Sequence, residues 1–135
     1  MKSIDFQVVH HISDTKLYQE ACAFAEKNSP PSKKQLIGLI SYSKQWSMLL
    51  RYIDHQRKRD LPDAYGLFYK ALQQYLNAPQ GGLAQRVKTE FHLIDEGLPK
   101  NEKRQLKDAW SQALAQEFVT HLVAQSLLKQ TQEER

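Results

Sequence analysis

Basic side chains gathered on one side of a helix are the main chemical feature of this sequence. A helix predicted over residues 45–60 places Trp46, Leu49 and Ile53 on one side, which must face a core. The opposite side carries, within about a 100° arc, a group of basic side chains. These are Lys44, Arg51, His55, Lys58 and Arg59. Such a surface could bind the phosphate backbone of a nucleic acid, because each neutralised phosphate releases counterions.

Further basic residues extend this pattern. Residues 33–59 contain seven Lys or Arg and one acid, Asp54, with Lys33 and Lys34 upstream and Arg57 towards the apolar side. A second basic stripe, interrupted by Glu102, lies at helical spacing near the start of the last predicted helix. Its members are Lys100, Lys103, Arg104 and Lys107. Basic faces of this kind contact phosphates and not bases, so nucleic-acid binding is expected to be independent of base sequence. The alternative is that the cations only keep the domain soluble.

No combination of side chains indicates an enzyme, a metal site or a cofactor. Glu90 and His92 are two residues apart, and neither they nor Glu117 and His121 have the Glu-x-x-His spacing of carboxylate di-metal sites. Glu117 and His121 are instead predicted to form a structural hydrogen-bonded pair. Cys22 lies at an apolar seam and is predicted to pack rather than to react. Glycine-rich phosphate loops and nucleophile-elbow motifs are absent from the sequence.

Proline and glycine divide the chain into predicted helices. Breaks are expected at 29–31, 60–62, 77–82 and 97–99. Helix starts are predicted at Ser13 or Asp14, at a Ser32 capping box, and at Pro62 as a first-turn proline. The segment 83–96 continues the helical pattern, and a final helix from Lys100 or Asn101 to about Lys129 would be long for so small a chain.

These elements predict an all-α fold. We expect a compact bundle of about five helices with a long C-terminal helix, forming a single domain over 1–135 with a frayed tail at 130–135. The net charge of +4 permits an anionic partner without requiring one. The single cysteine and the absence of a long apolar run predict a cytoplasmic protein that does not enter a membrane.

The last predicted helix changes its apolar face along its length. Leu106 and Trp110 lie on one stripe, whereas a second group of apolar residues points largely the other way. The members of that group expected to form a partner interface are Phe118, Val119 and Leu122. If a single core cannot cover both stripes, one of them remains exposed as an apolar patch that a partner could bind. The alternative is that the other helices wrap this one on both sides.

Two stretches of the sequence resemble one known family. Residues 30–59, "PPSKKQLIGLISYSKQWSMLLRYIDHQRKR", resemble a segment in the small subunits of type III CRISPR effector complexes. Residues 111–129, "SQALAQEFVTHLVAQSLLK", are similar to the closing helix of the Csm-type small subunit. Together these stretches contain 49 of the 135 residues of the chain.

The resemblance implies a non-catalytic helical subunit of a ribonucleoprotein. Several copies would stack head to tail, and their basic faces would line the channel for guide and target RNA. The residues that the resemblance places near RNA are Lys33, Lys34, Arg51, Arg57, Lys58 and Arg59, followed by Lys103, Arg104 and Lys107. The last helix would contact a neighbouring copy or another subunit of the complex.

Two other functions fit the same residues. Helices over 33–41 and 45–59 could form a helix-turn-helix DNA reader, although their link lacks the glycine often found in that turn. The chain could also be a helical protein-interaction module, such as a phage or plasmid regulator, whose cations are only solvated. Partner binding that is insensitive to salt would distinguish that module from a phosphate binder.

Overall fold

The computed structural model describes residues 4–59 and 63–133, which contain six helices and no strand. Helix α1 covers residues 6–27 and consists of Phe6–Ile12, a π-helical turn at Ser13–Leu17, and Tyr18–Lys27. The others are α2 (Lys33–Tyr42), α3 (Trp46–Lys58), α4 (Asp63–Asn77), α5 (Leu83–Thr89) and α6 (Lys100–Glu133). The all-α fold and the long C-terminal helix predicted from the sequence are confirmed.

Helix α1 begins earlier than the sequence pattern indicated. The carboxylate of Asp5 caps it by accepting a hydrogen bond from the backbone N–H of Gln7 (2.9 Å). Ser13, predicted as a possible cap, lies inside the helix in the π-helical turn and is 2% exposed. The helix passes through this position because the π-helical turn widens it locally without interrupting its backbone.

Helices α2 and α3 follow the predicted boundaries. The Ser32 hydroxyl accepts a hydrogen bond from the backbone N–H of Gln35 (3.4 Å) and so caps α2. Leu49 and Ile53 on α3 are completely buried, as the helical spacing predicted, and Gln56 is the buried polar residue on that helix. Pro62, the predicted first-turn proline, lies outside the described residues.

Helix α5 ends at Thr89 instead of continuing to Glu96. His92 has a φ of 52°, in the left-handed region that commonly ends helices, and the backbone N–H of Leu93 donates to the Val87 carbonyl (2.9 Å). The chain then leaves the helix and forms a connection to α6. The prediction of a helix over 83–96 was therefore too long, because nothing in the residue pattern marks His92 as left-handed.

The long helix α6 is covered on both of its apolar stripes. Its 34 residues make it about 50 Å long at 1.5 Å per residue. It packs against α1, α2, α3 and α5, and Trp110 on the first stripe is 6% exposed. The helix continues to Glu133, past the position where the tail was predicted to fray, and the Gln130 amide donates to the Pro31 carbonyl (2.8 Å). Residues 134 and 135 lie outside the described part of the chain.

The predicted partner interface on α6 is wrong. Phe118, Val119 and Leu122 are all completely buried in the core. The Phe118 ring stacks on Tyr75 of α4, with centroids 3.9 Å apart, and meets the edge of Phe24 of α1 at 6.0 Å. Helices on either side of α6 therefore bury both stripes, which leaves these three side chains no surface for a partner.

A network of ion pairs ties α5 to α1 and α4. The Arg86 guanidinium donates to both carboxylate oxygens of Glu20 at 2.8 Å and also binds Glu90 at 2.8 Å. The Tyr75 hydroxyl donates to Glu20 at 2.5 Å, and Arg86 lies over the Phe91 ring, 5.1 Å from its centroid. This network holds the end of α5 and the start of the connection to α6 in place.

Replacing Arg86 by alanine is expected to lower the free energy of unfolding by about 2 kcal/mol, because Glu20 would keep its partly buried charge without a cationic partner. Urea denaturation measures this change. The matched control is Arg57→Ala, which removes an exposed pair with Asp54 and should leave the free energy of unfolding nearly unchanged. Equal losses in the two variants would contradict a structural role for the Arg86 network.

Acid should remove part of the stabilisation that this network gives. Hydrogen bonding from Arg86 lowers the pKa of the Glu90 carboxyl below its ordinary value. The ionised carboxylate therefore stabilises the fold above the unfolded pKa of about 4.3, and this contribution disappears as the pH falls through the lower folded pKa. Glu90→Gln should lower the urea midpoint at about pH 6 and have little effect at about pH 3. The same difference at both pH values would contradict this assignment.

Candidate nucleic-acid interface

Basic side chains from two helices meet at the start of α6. They line one groove with a volume of about 360 Å³, called here the α5–α6 groove, and Ile94 from the connecting segment forms its apolar wall. The basic lining residues are Lys88, Lys100, Lys103, Arg104 and Lys107. The second basic stripe predicted from the sequence therefore forms one side of a concave surface, and α5 supplies the other side.

Little negative charge offsets these cations. Glu96 lies 3.6 Å from the Lys88 ammonium and 3.4 Å from the Lys103 ammonium, and its side chain is 60% exposed. Pairs this long and this exposed contribute little, because water competes for both partners. Within the described part of the chain, Lys100 and Lys107 form no ion pair. The α5–α6 groove therefore contains three cations without an ion pair in that part of the chain, Lys100, Arg104 and Lys107.

The position of the groove on α6 increases its positive potential. Lys100 and Lys103 lie in the first turn, where unpaired backbone N–H groups make the helix end positive, and Glu102 is the acid in that turn. Cations placed there reduce the stability of the helix, whereas an anion placed there is stabilised. A bound phosphate would therefore interact favourably with both the side chains and the helix end.

The structure divides the first predicted basic set among different surfaces. Lys34 and Arg59 line a cavity of about 390 Å³ between α2 and α3, called here the α2–α3 pocket. Lys44 lines a separate cavity of about 270 Å³. Arg51 and His55 are exposed on α3, as is Lys33 at the start of α2. Lys34, Arg59 and Lys44 therefore line cavities that are separate from the α5–α6 groove.

Asp54 neutralises part of the charge near the end of α3. It pairs with Lys58 at 2.9 Å and with Arg57 at 3.1 Å. Both hydrogen bonds lower the pKa of the Asp54 carboxyl, and the one from Lys58 has the larger effect. Arg57 was predicted to extend the apolar side of α3, but it is exposed, and Gln56 is the buried neighbour.

The one serine–histidine pair that resembles catalytic machinery in the described part of the chain is partly buried. His121 Nε2 lies 2.7 Å from the Ser13 hydroxyl, so His121 pairs with Ser13 rather than with Glu117 as the sequence suggested. The Tyr18 ring packs edge-on against the imidazole at 5.4 Å. Because Ser13 is 2% exposed, a substrate cannot reach its hydroxyl, and we interpret the pair as a structural link between α1 and α6.

Metal-binding and membrane-spanning features are absent from residues 4–59 and 63–133. This part of the chain contains no group of three or more His, Cys, Asp or Glu side chains placed to hold a metal ion. None of its helices combines the length and the apolar character needed to cross a bilayer.

Sequence reasoning missed Lys88 as a member of the interface. Only the connection of residues 90–99 separates the end of α5 from the start of α6. Helices that follow each other in the chain often pack side by side, which would have suggested that the last turn of α5 lies near Lys100. The prediction of a helix over 83–96 hid this relation, because it placed Lys88 in the middle of a helix.

The α5–α6 groove therefore gathers Lys88, Lys103, Arg104 and Lys107 into one surface with Lys100, while Lys34 and Arg59 share the α2–α3 pocket. Comparisons with protein-family models, with curated proteins and with solved structures give no match to this chain.

Proposed function

We propose that this protein is a non-catalytic RNA-binding assembly subunit, which holds the RNA phosphate backbone in the α5–α6 groove. The observation that supports this most is the convergence of five basic side chains from two helices on one concave surface. Four of the five are lysines, which bind phosphates as flexible point charges. Such contacts give affinity without reading bases, so binding should tolerate any sequence.

The choice of RNA and of an assembly rests on the resemblance of residues 30–59 and 111–129 to small subunits of type III CRISPR effector complexes. Under this proposal, guide or target RNA would follow the α5–α6 groove, and the exposed Arg51 would add a weaker backbone contact. Contacts with other copies or subunits would involve surfaces other than Phe118 and its neighbours, because those side chains are buried.

Salt-dependent RNA binding tests this function. The affinity for a fluorescently labelled single-stranded RNA is measured by anisotropy at several salt concentrations. Five phosphate contacts predict that log K falls against log salt with a slope of about −3.5, because each single-strand contact contributes about −0.7. Two RNAs of unrelated sequence should bind within about threefold of each other. Undetectable binding at about 0.05 M salt, or a slope near zero, would contradict the proposal.

A helical protein-interaction module is the second candidate, and one surface favours it. Ile37, Ile40 and Tyr42 on α2 are 49%, 37% and 39% exposed, and Met48 on α3 is 37% exposed. Tyr42 and Met48 line the same cavity. Exposed apolar residues close together are typical of protein contacts. Partner binding through them would be insensitive to salt, unlike binding in the α5–α6 groove.

A further inference from the structure

We infer that the α2–α3 pocket is a second and separate binding site, which takes the phosphate group of a small phosphorylated molecule. Its volume of about 390 Å³ is within the range of small-molecule sites, which runs from about 300 to about 1,000 Å³. Lys34 from α2 and Arg59 from the end of α3 supply the positive charge, and no carboxylate lines the described pocket. This inference does not depend on RNA binding at the α5–α6 groove.

Two glutamine side chains in the pocket wall are oriented as donors. The Gln35 side-chain oxygen accepts a hydrogen bond from the Tyr69 hydroxyl at 2.8 Å, and that of Gln56 accepts one from Arg59 at 3.0 Å. Each amide oxygen is thereby occupied, and neither amide nitrogen makes a hydrogen bond within the described residues. Gln56 is 6% exposed and lines the pocket, so a molecule held there would lie beside its amide group.

The donors of the α2–α3 pocket therefore match an anion. Lys34 and Arg59 provide charged N–H groups, and the amide nitrogens of Gln35 and Gln56 provide neutral ones. Hydrogen bonds from charged donors to phosphate oxygens are about twice as strong as neutral ones, and a guanidinium can bind two oxygens at once. A neutral ligand would gain much less from this set of groups.

An aromatic wall fixes the shape of the pocket. The Tyr52 hydroxyl donates to the Gln35 carbonyl at 3.2 Å and lies so close to Gly38 that a Cβ there would be 2.7 Å from its oxygen. The Tyr42 ring stacks on Tyr52, with centroids 4.7 Å apart. Burial raises the pKa of Tyr52, so its hydroxyl stays protonated and remains a hydrogen-bond donor. The wall adds an apolar surface for the rest of a phosphorylated molecule.

Titration of the ¹⁵N-labelled protein tests this inference. Uridine 5′-monophosphate and inorganic phosphate are added separately up to about 10 mM, and uridine serves as the ligand without phosphate. Both phosphate-containing probes should shift the amide signals of Gln35, Gly38 and Gln56, while uridine leaves them unchanged. Tighter binding of the monophosphate indicates an ester as the ligand, and equal binding indicates the free ion; both results support a phosphate site.

Paired variants distinguish binding in the α2–α3 pocket from nonspecific attraction to the net positive charge of the protein. Lys34→Gln and Arg59→Gln should each weaken binding of the monophosphate at least about tenfold, because each removes a charged donor that lines the pocket. The controls are Lys33→Gln and Arg57→Gln, which remove the same charge from adjacent positions that do not line it and should change binding by less than about twofold. Equal weakening in both pairs, or no shift with either phosphate probe, would overturn the inference.

Discussion

Replacing Lys100, Arg104 and Lys107 together by glutamine is expected to weaken the binding of single-stranded RNA by about 100-fold at about 0.1 M salt. Each of these side chains lines the α5–α6 groove and forms no ion pair within the described residues. At this salt concentration, one phosphate contact contributes about a fivefold factor through counterion release, and three contacts multiply to about 100-fold. Anisotropy measured with the same labelled RNA gives the change directly.

A control variant must remove the same formal charge elsewhere. Lys27, Lys70 and Lys129 line neither the α5–α6 groove nor the α2–α3 pocket, so their triple replacement by glutamine should change RNA affinity by less than about threefold. The slope of log K against log salt should become less steep by about 2 only in the groove variant. Similar losses in both triple variants would mean that RNA responds to net charge and not to this groove.

Phe118→Ala is expected to lower the free energy of unfolding by about 4 kcal/mol. The Phe118 ring is completely buried between α1 and α4, and its removal would leave a cavity beside Tyr75 and Phe24. The surrounding helices would fill only part of this cavity. The cost of the remaining cavity therefore adds to the lost free energy of transferring the ring from water into the core. Urea denaturation followed by circular dichroism measures the effect.

Leu128→Ala is the matched control for the core prediction, because Leu128 lies on the same helix and is 52% exposed. It should change the free energy of unfolding by no more than about 0.5 kcal/mol. If Phe118→Ala left the stability unchanged but abolished an association between chains, the residue would be part of an interface, and the placement of Phe118 in the core would be wrong.

Local signals in the sequence were sufficient for the middle helices. The Ser32 cap, the spacing of Leu49 and Ile53, and the proline and glycine breaks each reflect an interaction within one helix or turn. Such interactions depend on neighbours in the chain, which the sequence displays directly. The second basic stripe at Lys100 and Lys107 was found in the same way, because its residues share one face of one helix.

Features that depend on contacts between helices, or on an unusual backbone conformation, could not be predicted from the sequence. Phe118 is covered by Tyr75 and Phe24, which are distant in the sequence, so the second apolar stripe of α6 could not be assigned to a core. The left-handed backbone at His92 shortened α5 without any glycine or asparagine to indicate it. That early end is what brings Lys88 beside α6 and completes the α5–α6 groove.

The most direct test of the central claim is the reactivity of individual lysines towards reductive methylation, read by mass spectrometry with and without single-stranded RNA. Phosphates bound in the α5–α6 groove should protect Lys88, Lys100 and Lys107, while Lys27 and Lys70 remain as reactive as in the free protein. Equal protection at all five lysines, or protection confined to Lys27 and Lys70, would contradict the assignment of the α5–α6 groove as the RNA-binding surface.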